Sequence, residues 1–130
     1  MKIQRRRSLY IKQAGKKGRG IFTTKPIPAN KIIEVAPVIV FSPADRKHIE
    51  KSKLFDYIFA WGNDEKQGAM ALGYVSLYNH ASPSNCDYMM DYDKEIIILK
   101  SMRPIKAGEE LTINYMGSWD DKTPVWFETK

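Results

Sequence analysis

Leu72-Gly73-Tyr74-Val75-Ser76-Leu77-Tyr78-Asn79-His80-Ala81-Ser82-Pro83-Ser84-Asn85-Cys86-Asp87-Tyr88 crowds amide, imidazole, hydroxyl and phenol side chains into a span where a plain core strand would be apolar. Asn79 and His80 offer an amide and an imidazole together with their backbone groups, a set able to read the edge of a purine ring. Ser82-Pro83-Ser84-Asn85 suits a turn that holds such a loop. Taken alone, the same residues also fit an ordinary connection with a satisfied, buried His80. The stretch gains meaning from two partners distant in sequence. These are Lys17-Gly18-Arg19-Gly20-Ile21-Phe22 and Gly108-Glu109-Glu110-Leu111-Thr112-Ile113-Asn114-Tyr115.

Working outward towards the amino terminus, Leu9 to Ile11, Gly20 to Thr24, Ile32 to Val35 and Val38 to Phe41 are short β-branched or aromatic runs punctuated by Gly, Pro and Asn, which predicts strands and turns. Pro26, Pro28 and Pro37 cannot donate to a ladder, so short edge strands and corners are expected around them. Residues 42–62 read as a helical insert: Ser42 can cap, Pro43 suits the first turn, and Ile49, Leu54, Tyr57, Ile58 and Trp61 follow at mostly three- and four-residue steps. Phe55, Tyr57, Phe59 and Trp61 fit core packing. Towards the carboxy terminus, Met70 to Val75 reads as a buried segment, and Tyr88 to Tyr92 with Glu95 to Lys100 as a hairpin around Asp93-Lys94. Leu111 to Tyr115 is a last strand, in which Tyr115 shares a face with Leu111 and Ile113 and needs a partner for its hydroxyl. Residues 116–130 form an aromatic tail containing Trp119, Trp126 and Phe127.

At 130 residues, 43% hydrophobic and 28% charged, the sequence is that of one ordinary globular domain, residues 1–130. No run approaches the roughly 20 apolar residues of a membrane span, and no secretory signal is visible. Cys86 stands alone, which excludes an intrachain disulfide and a cysteine-built zinc site and points to an intracellular setting. With only His48 and His80, neither a histidine metal centre nor a Ser-His-Asp hydrolase is supported, and no metal is expected. The net charge of +6 is uneven: Lys2, Arg5, Arg6, Arg7, Lys12, Lys16, Lys17, Arg19 and Lys25 meet no acid before Glu34. Such an arm attracts nucleic acid or an anionic ligand, or is a solvated face that aids solubility.

Gly18-Arg19-Gly20 alone is no more than a turn between strands, because a dinucleotide fingerprint needs a third glycine and a following helix. In combination the three motifs say more. In order and spacing, Lys17 to Phe22, Asn79-His80 with Asn85-Cys86, and Gly108 to Thr112 with Tyr115 resemble the signatures of SET-domain protein lysine methyltransferases, over nearly the whole chain. The resemblance is closest to short stand-alone members without cysteine-rich flanking modules, through Asp56-Tyr57-Ile58-Phe59 and Ala69-Met70-Ala71-Leu72-Gly73. Two departures stand out. Asn79-His80-Ala81-Ser82-Pro83-Ser84-Asn85 replaces the usual Asn-His-Ser-Cys-x-Pro-Asn, and Ile113-Asn114-Tyr115 replaces Tyr-Asp-Tyr.

The resemblance implies a mostly β domain with a short helical insert: a SET (β-clip) fold of small sheets with a carboxy-terminal pseudoknot. It implies methyl transfer from S-adenosylmethionine to a lysine side-chain amine in a protein substrate, such as a histone or another basic protein. Lys17, Gly18, Arg19, Gly20, Asn79 and His80 would bind the cofactor, Tyr115 would be catalytic, and Tyr57, Tyr88 and Trp119 would wall the lysine channel. Tyr88 matches a position whose hydroxyl restricts some relatives to one or two methyl groups. The setting would be cytoplasmic or, in a eukaryote, nuclear; contact of the basic arm with nucleic acid and pairing of two chains are left open. The rivals are a non-enzymatic β module that binds nucleic acid or a partner protein and a catalytically silent SET scaffold.

Overall fold

The computed structural model describes residues 4–115. The strands are β1 (Gln4–Arg5), β2 (Leu9–Gln13), β3 (Arg19–Thr23), β4 (Ile32–Phe41), β5 (Ile58–Trp61), β6 (Gln67–Ala71), β7 (Asn79–His80), β8 (Cys86–Asp91), β9 (Ile96–Ser101) and β10 (Glu110–Ile113). One α-helix, α1 (Pro43–Ile49), and single 3-10 turns at Gly15–Lys17, Lys53–Tyr57 and Val75–Leu77 complete the described elements. A six-stranded sheet runs β5-β6-β4-β9-β8 with β1 alongside β4, and a four-stranded sheet runs β2-β3-β10-β7. Both close on one core that includes Ile21, Ile33, Ile97, Leu99, Leu111 and Ile113.

The long strand β4 carries the main departure from expectation in the first third. Val38 to Phe41 was expected as a separate run, but the strand continues through Pro37 because the ladder changes hands there. Residues 32–37 pair with β9 and residues 38–41 with β6. A proline at the changeover removes no bond that either ladder requires, and its carbonyl still accepts from Leu72 N–H at 3.0 Å. A register irregularity between Ile32 and Glu34 puts consecutive residues Ile33 and Glu34 both inside.

The insert at 42–62 is less helical than its spacing predicts. Ser42 does cap α1, accepting from Asp45 N–H at 3.1 Å, but the helix ends at Ile49. Ile58 to Trp61 is a strand, because pairing with β6 from Ile58↔Met70 to Trp61↔Gln67 outweighs a helical period that β-branched and aromatic residues support weakly. Helix α1 buries no residue; instead Arg46 fixes it, donating to Glu65 O at 2.6 Å and Gln67 O at 2.9 Å and pairing with Glu50 at 3.0 Å. The expected segment Met70 to Val75 divides into the end of β6 and the turn at Val75–Leu77. The hairpin around Asp93-Lys94 forms as expected, closing on Asp91↔Ile96.

Candidate active site

The short strand β7 is the hinge of the site. It runs parallel to β10, with Asn79 beside Thr112 and His80 beside Ile113, while β10 pairs on its other side with β3. The turn at 17–20, the Asn79-His80 pair and the carboxy-terminal motif thus become neighbours across three adjacent strands.

At the glycine turn, Gly18 has φ +85°, a conformation that glycine adopts without strain. Gly20 is required for a different reason: a Cβ there would meet Asn79 Nδ2 at 2.7 Å and collide with the Glu110 carboxylate. Asn79 Nδ2 donates to Glu110 Oε2 at 2.7 Å and to Arg19 O at 3.3 Å, so its amide ties the turn to β10. Lys17 Nζ lies 3.8 Å from Glu110 Oε1. His80 Nδ1 accepts the Tyr115 backbone N–H at 3.1 Å, which assigns the neutral ring's proton to Nε2. Burial, reinforced by the charge of Lys17, lowers the His80 pKa and favours that neutral form.

Asn85 laces the following loop to the same strand. It is 3% exposed; Oδ1 accepts Thr112 N–H at 2.8 Å while Nδ2 donates to Glu110 O at 2.8 Å. Just before β10, Glu109 pairs with Arg103, whose hydrogen bond is the main reason the Glu109 pKa is lowered. Cys86 is fully buried, and burial pushes its thiol up to about 12, so it is no nucleophile at neutral pH.

Behind Tyr115 opens a cavity of about 640 Å³, whose lining includes Phe55, Tyr57, Phe59, Tyr78, Tyr88 and Tyr115. Tyr57, Tyr88 and Tyr115, distant in sequence, therefore share one chamber. Phe59 and Tyr88 meet edge to face at 5.5 Å, and the Tyr115 ring lies 5.2 Å from His80. Tyr115 donates its hydroxyl hydrogen to Tyr78 O at 2.8 Å. Burial first, then the charge of Glu110, pushes the Tyr115 phenol up to about 12; burial, then Asp87, does the same for Tyr88. Both phenols stay protonated at neutral pH. Trp119 falls outside the described residues.

Sequence reasoning did not single out Glu34, Tyr78 or Glu110. Glu34 is 1% exposed beneath the loop that carries Tyr74 and Tyr78, and its signal was an acid inside the run Ile32-Ile33-Glu34-Val35. Every buried side-chain nitrogen and oxygen among the described residues has a hydrogen-bond partner.

The three-strand junction and aromatic chamber define a class of protein. Residues 18–116 match the SET domain family, and the chain belongs to it. Its activity is that of a protein-lysine N-methyltransferase, in a family that uses S-adenosylmethionine as methyl donor. The chain is 36% identical over 124 residues to a histone-lysine N-methyltransferase of Schizosaccharomyces pombe specific for H3 lysine-37, an alignment spanning 95% of this chain and 79% of the relative. A crystal structure of a Plasmodium falciparum protein provisionally assigned as a histone methyltransferase superposes with TM-score 0.67 at 26% identity, covering 90% of this chain and 98% of that one. The Chaetomium thermophilum Polycomb Repressive Complex 2 bound to GSK126 shares the fold, with TM-score 0.68 at 22% identity over 83% of this chain and 15% of that chain. With family membership established, the non-enzymatic reading is not favoured. Among the described residues no helix is long and apolar enough to cross a membrane, and no cluster of His, Cys, Asp and Glu is suited to a metal.

Proposed function

We propose that the turn at Lys17 to Gly20 and the Asn79-His80 strand hold S-adenosylmethionine, and that the substrate lysine enters through the aromatic chamber. The donor set fits a zwitterionic nucleoside. Lys17 and Glu110 present opposite charges beside a glycine turn, and at Gly18 a Cβ would meet nothing within 4 Å, so the turn's outer face is open. Because the Asn79 amide and His80 Nδ1 are engaged inside the protein, backbone groups of β7 and the outer edge of the imidazole are left to recognise the base. Bound S-adenosylmethionine supplies an electrophilic methyl group on a sulfonium.

Nucleophilic displacement requires the neutral amine, and deprotonating a free lysine at pH 7 costs about 4–5 kcal/mol. Desolvation among Phe59, Tyr57 and Tyr88 favours the neutral form. Neither Tyr88 nor Tyr115, both near 12, takes that proton at pH 7, so proton loss falls to solvent. With its hydrogen committed to Tyr78 O, the Tyr115 hydroxyl accepts from the amine through a lone pair and aligns it. The observation that carries this reading is that Tyr115 both lines the chamber and packs against His80, joining the two halves of the site.

By its relation to the fission-yeast enzyme, the substrate is a histone, with histone H3 the first to test and chromatin the place of action. Titration calorimetry with S-adenosylmethionine, followed by radiolabelled methyl transfer into recombinant H3 at pH 8, tests both halves. Cofactor binding with label on H3 lysine supports the reading. Absence of cofactor binding overturns the cofactor-site assignment, and cofactor binding with no label on H3 overturns the assignment of H3 as substrate.

A further inference from the structure

Glu34 grips both ends of the 3-10 turn Val75–Leu77 from beneath. Its Oε2 accepts the Tyr74 backbone N–H at 2.8 Å, and its Oε1 accepts the Tyr78 hydroxyl at 3.1 Å. Tyr74 and Tyr78 are the residues that flank this turn. Two oxygens each accepting from a donor is the pattern of an ionised carboxylate. The Arg5 guanidinium, stacked 3.8 Å over the Tyr74 ring, supplies countercharge. Burial raises the Glu34 pKa, and both hydrogen bonds and Arg5 oppose that rise. The backbone makes room for the acid: Gly73 has φ +69°, and a Cβ there would strike the Glu34 carboxylate.

At the far end of the turn, Tyr78 points its phenol inward to Glu34 and its carbonyl towards the Tyr115 hydroxyl. Tyr78 is 1% exposed, so its ring has no freedom to compensate for a lost anchor. We propose that Glu34 is a positioning residue for methyl transfer: by clamping Tyr74 and Tyr78 it fixes the carbonyl that aims the Tyr115 hydroxyl. The proposal rests on the reading of Tyr115 as the group that aligns the amine. A purely structural role would be served as well by an apolar side chain of similar volume, which avoids the desolvation of a buried acid.

The test measures kcat and KM for recombinant H3, cofactor affinity by calorimetry, and melting temperature, for Glu34→Met, Tyr78→Phe, the double variant and Tyr115→Phe. Glu34→Met keeps a similar volume but removes both acceptors, and Tyr78→Phe removes only the hydroxyl. Each is expected to lower kcat about tenfold or more through misalignment, with KM and cofactor affinity within about twofold. The double variant is expected to fall no further than the weaker single one, because both break the same link. Wild-type kcat in folded Glu34→Met or Tyr78→Phe overturns the proposal, as do additive losses or a loss confined to KM. If Glu34→Met fails to fold, Tyr78→Phe decides by the same criteria. Wild-type kcat in Tyr115→Phe overturns the alignment reading and this proposal with it. An inactive Tyr115→Phe beside fully active Glu34→Met and Tyr78→Phe overturns the role of Glu34 alone.

Discussion

The six-stranded and four-stranded sheets share a core but differ at their margins: the first is held by ladders and apolar packing, whereas the second is pinned by side-chain hydrogen bonds. In the larger sheet, β4, β8 and β9 pair over long antiparallel registers around Ile33, Ile97 and Leu99. In the smaller sheet, β7 has only two residues, and Asn79, His80 and Asn85 fasten it and its following loop to the glycine turn and to the β10 segment. Apolar packing tolerates volume-conserving change, while a hydrogen-bonded network fixes individual atoms. The glycine turn and Tyr115 lie on the side where individual atoms are fixed, while β5 and β8 of the larger sheet contribute Phe59 and Tyr88 to the chamber wall.

The largest expected effect within this contrast comes from cutting the lacing. Asn85→Ala leaves Thr112 N–H and Glu110 O without their buried partner and should cost about 2–4 kcal/mol of stability by denaturant unfolding, with cofactor binding lost alongside. A loss below about 0.5 kcal/mol would show that backbone pairing alone holds β7. Gly20→Ala is next. Its Cβ displaces the ends of Asn79 and Glu110, both flexible, so the fold should survive while affinity for S-adenosylmethionine falls about tenfold in calorimetry. Ile97→Val, in the larger sheet, should cost only about 0.5–1.5 kcal/mol and leave cofactor affinity unchanged, and a change in affinity would dissolve the distinction between the sheets.

The smallest effect is pH-dependent. The folded His80 pKa is lowered relative to the unfolded chain, so its contribution is present above the unfolded value of about 6.5 and is lost as pH falls through the folded value. Between pH 7.5 and 5, wild type should therefore lose melting temperature relative to His80→Asn. A constant difference between the two proteins across that range would contradict the assignment of a neutral Nδ1 acceptor.

The same contrast explains what was legible in the sequence. The hairpin of Tyr88 to Lys100 and the strands around Leu9 and Gly20 followed from local alternation and turn residues, because each pairs with a near neighbour in the chain. Strand β5 was read as helix, since its identity depends on β6, which a helical period in Ile49, Leu54, Tyr57 and Trp61 does not reveal. The coming together of Tyr57, Tyr88 and Tyr115 in one chamber was readable only through the combined motifs. Glu34 stayed hidden because its inward turn depends on a register irregularity in β4, and its partners Tyr74 and Tyr78 lie forty or more residues away.

The central claim is that the polar-laced junction aligns a lysine amine through Tyr115. It is tested most directly by intact-mass analysis of recombinant H3 treated with S-adenosylmethionine and either wild-type protein or Tyr115→Phe, each first titrated with cofactor by calorimetry. Wild type should add one or two methyl groups to a lysine, and Tyr115→Phe should bind cofactor within about threefold of wild type yet turn over at least about 100-fold more slowly. Methylation by Tyr115→Phe at the wild-type rate would contradict the account.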